Sequence, residues 1–509
     1  MLASDWVEYN ARRFPEALAL ENIDSGERLY WREVNVRVGQ YAGVLANRYA
    51  IAAGDRVALI AENDIRLFLL QFALMRLRAT LVPLNWRLSL PELTAQIEQS
   101  QPSLIVHDQR WSDTAMALAS GAVATIAWGE VEAAESLDVL ADAAEPLSSR
   151  CNEQMEDVAL VLFTSGTTGK AKGAQITRAN LAWQTQNIAH TDMIGGRGDK
   201  VFSVLPLFHA GGLNALPNPV LFSGGCVAVT KRFDPAHSFT LLTDPARGYT
   251  HTVVVPIMLT QMAALPQFAG TPWAGLKHIQ LGGGSLAPAV MKMYAAKGVP
   301  VQPHYGGTET GPGVSGVPAE MVATKGHSCG LPFPHTRVRL VEDGRDVKFG
   351  AIGEIWVSGP TISAGYFLEQ ASGSSYEQGW FRTGDLGRMD EDGYLYIVDR
   401  LKDMYKSGGE NVFPAEVEAA LAEHPDIKEV VVFGIPDAKW GETGVVVYVT
   451  RSGKSLSSED INAHCEGRLA RYKIPTILER LDELPRNVTG KVVKRDLRTR
   501  YLPAPELPA

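Results

Sequence analysis

The densest chemistry in the chain lies in Thr164-Ser165-Gly166-Thr167-Thr168-Gly169-Lys170-Ala171-Lys172-Gly173. Glycines let the backbone approach an anion closely, hydroxyls donate hydrogen bonds, and Lys170 and Lys172 supply positive charge. Together they describe a phosphate cradle. The segment directly follows Val158 to Phe163, whose apolar run reads as a buried strand. It is not a P-loop of the GxxxxGK[ST] kind, because Ala171 stands where the second glycine would be needed.

Further along, Tyr305-Gly306-Gly307-Thr308-Glu309-Thr310-Gly311 puts an aromatic ring, a hydroxyl and a carboxylate on one short loop. A carboxylate beside a phosphate site commonly serves Mg²⁺. Leu281-Gly282-Gly283-Gly284-Ser285 reads as a tight strand-to-helix turn whose exposed backbone packs on a flat ligand, or simply as a tight turn. As a dinucleotide fingerprint it lacks the acidic residue expected about 20 positions on. Asp385, within Arg382-Thr383-Gly384-Asp385, is of the type that accepts hydrogen bonds from ribose hydroxyls, whereas Asp392-Gly393 reads as a hairpin turn. Near the end, Asn487-Val488-Thr489-Gly490-Lys491 presents a lysine behind a glycine turn. No HExxH and no Cys/His cluster occurs, and Ser165 lacks the preceding glycine of a nucleophile elbow, so zinc and serine hydrolases are excluded.

The elements that must position these residues alternate in type. Arg56 to Ile60 is strand-like and precedes a helical pattern from Leu67 to Met75, and Thr252 to Val255 precedes Ile257 to Ala264. That alternation predicts α/β layers with largely parallel sheets. After residue 400 the texture changes, with a helix expected over Pro414 to Leu421 and a strand over Glu429 to Phe433. A chain of 509 residues exceeds what one core can fill, so a large domain over 1–400 and a small one over 401–509 are expected.

Lys+Arg total 48 against 57 Asp+Glu, a net charge of −9 that disfavours nucleic acid and anionic membranes as partners. Arg76 and Arg78 interrupt the longest apolar segment, so no membrane span is expected. Cys151, Cys226, Cys329 and Cys465 are scattered singly, as in a reducing compartment, and the acidic start at Asp5 and Glu8 leaves no secretory apolar run. A cytoplasmic location is expected.

Taken together and in this order, the motifs resemble the adenylate-forming superfamily of acyl-CoA synthetases, adenylation domains and beetle luciferases, from about residue 5 to residue 500. The resemblance implies a large N-terminal domain of packed α/β subdomains, a small mobile C-terminal α+β domain, and activation of a small carboxylic acid as its acyl-adenylate. ATP, Mg²⁺ and CoA are the implied cofactors, and a homodimer stays open. By that resemblance Thr164 to Gly169, with Lys170 and Lys172, hold the β- and γ-phosphates. Gly283, Gly284, Tyr305 and Gly306 form the adenine slot, Thr308 meets the α-phosphate, and Glu309 holds Mg²⁺. Asp385 and Arg400 take the ribose, Lys402 is the hinge, and Lys491 is the catalytic lysine. The acyl pocket is framed by His209, Asn214, Val255, Gly282, His304 and Gly307, while Gly408, Gly409 and Trp440 face CoA.

Two departures stand out against that resemblance. Pro303 occupies the place of the amide that usually anchors adenine, and His304 occupies a place that is commonly small or apolar. A polar feature on the acid, or a structural hydrogen bond, would each account for His304. The expected activity is an acid:CoA ligase for an aromatic or phenylpropanoid acid. A medium-chain fatty acid, or a stand-alone adenylation enzyme loading a carrier protein, are the alternatives.

Overall fold

A computed structural model describes residues 5–501 except 130–134, 149–151, 153, 166–170, 192–193, 195, 274, 368–374, 408–409, 438–439, 467 and 487–491. The fold is mixed α/β, and by contacts it separates into two compact units: residues 1–338 with 357–382, and residues 339–356 with 383–509. This grouping is drawn elsewhere than the division expected at 400/401.

The larger unit contains two sheets. In the first, strands Ala124–Ala127, Leu104–His107, Arg56–Ile60, Thr80–Pro83 and Val158–Ser165 lie side by side in parallel, and Ala171–Thr177 closes the edge as an antiparallel hairpin with Val158–Ser165. The second has nine strands, parallel from Val301–Gly307 through His278–Leu281, His251–Val254, Lys200–Ser203 and Cys226–Val229 to Leu18–Asn22, with antiparallel strands at both margins. Parallel strands covered on both faces must be apolar throughout, and Arg56–Ile60, Leu104–His107 and His251–Val254 are buried along almost their whole length. The predicted strands and the helices after them appear within one or two residues of their expected limits, as Arg66–Arg76 and Pro256–Ala263.

Helix Arg66–Arg76 is buried on every side, including Gln71 and Arg76. A guanidinium survives there because Asp5 faces it, with Nε 2.5 Å from Oδ2, and because backbone carbonyls of Asn35 and Leu147 accept from it. Thus the charge that interrupts the apolar segment is an internal ion pair. No described helix is long and apolar enough to cross a membrane.

In the smaller unit, residues 339–342, 345–346, 353–356, 383–389 and 395–400 belong to one sheet. The Asp392-Gly393 turn forms as expected: Asp390 Oδ1 accepts from the backbone N–H of Asp392 and Tyr394, and Gly393 takes φ +86°. A second sheet pairs Ile427–Asp437 with Gly441–Thr450 and adds Tyr405–Ser407, Glu410–Val412 and Ile477–Arg480. The central runs of its long strands, Val430 to Phe433 and Val445 to Val449, are apolar without alternation because both faces are covered. Val432, Val446 and Tyr448 pack with the helices Pro414–Ala422 and Ser458–Cys465, and Val431, Phe433 and Val447 pack with Leu484 and Leu497.

Candidate active site

The strands that flank the glycine- and hydroxyl-rich segment, Val158–Ser165 and Ala171–Thr177, pair antiparallel with each other. Register pairs Thr164 with Lys172 and Ser165 with Ala171, so the cradle begins while the chain is still in a strand. Gly166, Thr167, Thr168, Gly169 and Lys170 lie outside the described residues, as does the side chain of Ser165.

A second hairpin meets the first. Val301–Gly307 returns as Gly311–Gly316, and its turn carries Thr308 and Glu309. The turn is tight: Gly307 donates its N–H to Thr310 Oγ1 at 2.9 Å, and a Cβ on Gly306 would stand 2.6 Å from the Gly311 carbonyl oxygen. Thr164 Oγ1 donates to Glu309 Oε1 at 3.0 Å, and Tyr366 OH donates to the same oxygen at 2.9 Å. The Tyr366 ring lies under Lys172, with Nζ 5.0 Å from its centroid. Ser363 N–H donates to the Glu309 carbonyl at 2.7 Å, which ties the turn to the segment carrying Tyr366.

Glu309 is therefore a half-buried carboxylate whose Oε1 is held by two neutral hydroxyls. Among the described residues no hydrogen bond reaches Oε2. A carboxylate oxygen with free lone pairs, beside hydroxyl oxygens, is a hard donor set that suits Mg²⁺. Tyr366 has no counterpart in the sequence reading, since 57 residues separate it from Glu309 and only the fold joins them.

The glycine turn after His278–Leu281 is the predicted strand-to-helix turn, with Pro288–Ala295 following. Gly282 N–H donates to the Val254 carbonyl at 3.1 Å, Gly283 has φ +76°, and its added Cβ would touch Val255 Cγ1 at 3.3 Å. Val255, Gly282, Gly283 and Gly284 are thus neighbours. Pro303 uses its carbonyl on the N–H of Val317 at 3.0 Å, and Tyr305 stands opposite Ser315 in the ladder.

His304 is 8% exposed and has one structural partner, Gln280, whose amide nitrogen lies 2.8 Å from Nδ1. Its Nε2 is buried without a hydrogen bond, beside Gly316 and edge-on to Phe333. Burial lowers its pKa to about 3, so the ring is neutral at pH 7. His209 caps the helix Ala210–Asn214, and burial together with the charge of Arg87 lowers its pKa to about 4. Its Nε2 also lacks a partner, and Phe208, Trp86 and Arg87 stand against it in series. Asn214 is buried at the far end of that helix, where Oδ1 accepts from Asn218 Nδ2 at 2.7 Å.

The smaller unit holds the remaining expected residues. Asp385 and Arg400 face each other across a hairpin, with Arg400 Nε 3.0 Å from Asp385 Oδ1. Asp399 accepts from the N–H of Ala415 at 2.9 Å, and burial raises its pKa. Lys402 is exposed in a turn closed by Asp403 N–H and Met404 N–H, both donating to the Arg400 carbonyl. Trp440 is 45% exposed, with its N–H donating to Asp437 Oδ1. Gly408, Gly409 and Lys491 lie outside the described residues.

Comparison with known proteins is consistent along the whole length. Residues 7–367 match the AMP-binding enzyme family, and residues 416–491 match the AMP-binding enzyme C-terminal domain. A feruloyl-CoA synthase of Amycolatopsis sp. is 35% identical over 499 residues, covering 97% of this chain and 98% of its own length. An indoleacetate–CoA ligase of Aromatoleum aromaticum is 36% identical, with 98% of each chain covered. Among solved structures, the o-succinylbenzoate CoA synthetase of Bacillus subtilis bound to its acyl-adenylate superposes with TM-score 0.87 at 31% identity, over 99% of both chains. On the match of both domains and on similarity that runs nearly end to end, the chain belongs to the AMP-binding enzyme family.

Proposed function

We propose that this enzyme activates an aromatic carboxylic acid as its acyl-adenylate and passes the acyl group to CoA. The reaction class is AMP-forming acid–thiol ligation, which uses ATP, Mg²⁺ and CoA. The observation that carries the reading is the junction of the two hairpins, where Glu309 is oriented by Thr164 and Tyr366 through one oxygen, and no described residue hydrogen-bonds the other. The names of the relatives, a feruloyl-CoA synthase and an indoleacetate–CoA ligase, support an aromatic acid.

A carboxylate is a poor acyl donor because its leaving group would be oxide. Its oxygen therefore attacks the α-phosphorus of ATP in line, the bond to pyrophosphate breaks, and the acyl group gains AMP as a leaving group. Thr164 to Gly169, with Lys170 and Lys172, bind the β- and γ-phosphates, and Thr308 meets the α-phosphate. Gly283, Gly284, Tyr305 and Gly306 face adenine, while Asp385 and Arg400 take the ribose. Glu309 would hold Mg²⁺, which when bound supplies charge neutralisation to phosphate oxygens. Neutral His209, with Val255, Gly282, Gly307 and His304, lines the acyl pocket and keeps water from the anhydride.

Lys491 stabilises the charge that develops on the transferred group, a contribution on the order of 10²–10³ in rate for one pre-organised donor. Residues 401–509 then act as a lid that turns at Lys402, taking Lys491 out and bringing Gly408, Gly409 and Trp440 to CoA. The CoA thiolate attacks the acyl carbon, and AMP leaves. A cytoplasmic homodimer completes this reading.

The test is AMP formation from a panel of acids, with and without CoA. Aromatic acids giving thioester with free CoA support the reading; activity with medium-chain acids alone, or adenylate that only a carrier protein can discharge, would overturn it. In separate half-reaction assays, Lys491→Ala should lose nearly all acid-dependent ATP–pyrophosphate exchange and still convert supplied acyl-adenylate and CoA to thioester.

A further inference from the structure

The helix Arg178–Ala189 follows the phosphate hairpin directly and is capped by Thr177, whose Oγ1 accepts from Asn180 N–H. One face of it is buried, and on that face sits an amide rather than an alkyl group: Gln184 is 3% exposed. Among the described residues neither its Nε2 nor its Oε1 has a hydrogen-bond partner. A buried amide left unpaired on both atoms is costly and therefore uncommon in a folded protein. The surrounding chain makes room for it. A Cβ on Gly311 would stand 2.9 Å from Gln184 Oε1, and one on Gly313 would stand 2.8 Å from Nε2.

The amide borders a small cavity lined also by Asn214, Thr308, Gly311, Ile176 and Thr361. Asn214 is not idle there. Gln71 Nε2 donates to Asn218 Oδ1 at 3.0 Å, and Asn218 Nδ2 donates to Asn214 Oδ1 at 2.7 Å. This buried relay uses the Asn214 oxygen and leaves its NH₂ as a donor with no hydrogen bond among the described residues. The cavity thus presents an amide with both a donor and an acceptor, a second oriented donor, and no charged side chain among the described residues of its lining. It has room for a single water-sized group.

We propose that Gln184 and Asn214 form a polar subsite that receives one uncharged hydroxyl carried on the acid, so that the enzyme selects hydroxylated aromatic acids. The inference rests on the aromatic-acid reading above and sharpens it. A hydroxyl both donates and accepts, as the facing amides require, and it fits a cavity of this size. A second carboxylate does not fit, because no cation in the lining would pair with it. An aryl hydrogen would leave both amides unpaired in the complex, and a site built to hydrogen-bond a hydroxyl rejects the analogue without it.

The experiment compares kcat/KM for 4-hydroxycinnamate, cinnamate and 4-carboxycinnamate in the parent enzyme and in Gln184→Met, by AMP formation with CoA present. The parent should favour the hydroxylated acid by roughly tenfold or more, with the dicarboxylate poorest. Gln184→Met should lose about tenfold on 4-hydroxycinnamate, keep its rate on cinnamate and keep its KM for ATP. Its melting temperature should equal or exceed the parent's, since an unpaired buried amide has gone. Equal losses on both cinnamates would assign Gln184 a structural role and overturn the proposal. A parent that does not distinguish the two would also overturn it, leaving the cavity to water alone, and this arm stands even if the variant does not fold. If no aromatic acid gives AMP, it is the aromatic reading that fails. The same comparison then passes to 8-hydroxyoctanoate against octanoate.

Discussion

Glu309 and Asp385 are both carboxylates on hairpins, one in each compact unit, yet they are held by opposite kinds of partner. Two neutral hydroxyls orient Glu309, while Asp385 is paired with the guanidinium of Arg400. Hydroxyl donors fix a carboxylate without cancelling its charge, so Glu309 remains attractive to a cation. A guanidinium offsets the charge of its partner, so Asp385 is better suited to neutral donors such as the hydroxyls of a sugar than to a cation. Both carboxylates are half-buried, so the difference lies in their partners. The lesson is that the partner of a carboxylate, more than the carboxylate, decides whether it keeps its charge for a cation or turns to neutral donors.

Breaking this contrast at Glu309 should have the larger consequence. Glu309→Gln keeps the shape and removes the charge, so acid-dependent ATP–pyrophosphate exchange should fall on the order of 10²–10³-fold, with higher Mg²⁺ needed for what remains. A variant with unchanged exchange at the parent's Mg²⁺ requirement would erase the distinction. The same change in the smaller unit, Asp385→Asn, should act mainly on binding: KM for ATP rises about tenfold as charge-assisted hydrogen bonds weaken, while kcat stays within a few fold. Steady-state kinetics with ATP varied decides this, and a loss confined to kcat would contradict it.

Tyr366→Phe sharpens the contrast from the hydroxyl side. One hydrogen bond to Glu309 is lost, Thr164 still holds it, and the adenylation rate should drop roughly fivefold, corresponding to about 1 kcal/mol. A loss equal to that of Glu309→Gln would mean that the tyrosine does more than orient.

The smallest expected effect concerns proton uptake in the larger unit. His304 and His209 have pKa values lowered to about 3 and about 4, chiefly by burial, against about 6.5 in an unfolded chain. As pH falls below 6.5, the unfolded state binds protons that the folded rings refuse, so the stability present above pH 6.5 is lost progressively down to about pH 4 and 3. Between pH 7 and 6 the loss should be on the order of half a kcal/mol per imidazole. Denaturant unfolding followed across that range measures it, and His304→Asn should flatten the slope in part. A pH profile identical to the parent's would show that His304 takes up its proton in the folded state.

Much of the scaffold is legible in the sequence. Arg56 to Ile60, Leu67 to Met75 and Pro414 to Leu421 follow from periodicity and from β-branched runs, because burial on known faces dictates residue type. The chemistry of Thr164 to Lys172 and of Glu309 was also readable as residue types. What could not be read is long-range pairing. Tyr366 reaches Glu309 and Gln280 reaches His304 only through strand order, and nothing in the spacing of those residues announces it. The hairpin character of the phosphate segment escaped for a related reason: Ala171–Thr177 carries Lys172 and Gln175, and a polar edge strand resembles a loop in sequence. Gln184 was hidden by its type, since an amide in a helix ordinarily faces water.

The segment that brings Tyr366 to Glu309 has a second consequence, for solubility. Ala171–Thr177 is the margin of its sheet, and a bare margin invites pairing with a stranger's strand. Residues 364–367 occupy that margin: Ala364 N–H donates to the Gln175 carbonyl, Gln175 N–H to that of Gly365, and Phe367 N–H to that of Gly173. The stretch that aims the tyrosine is thus also a guard against self-association. A substitution such as Tyr366→Phe keeps the guard in place, whereas Gly365→Pro would threaten backbone geometry along the whole margin, so its cost would be read in aggregation before it is read in turnover.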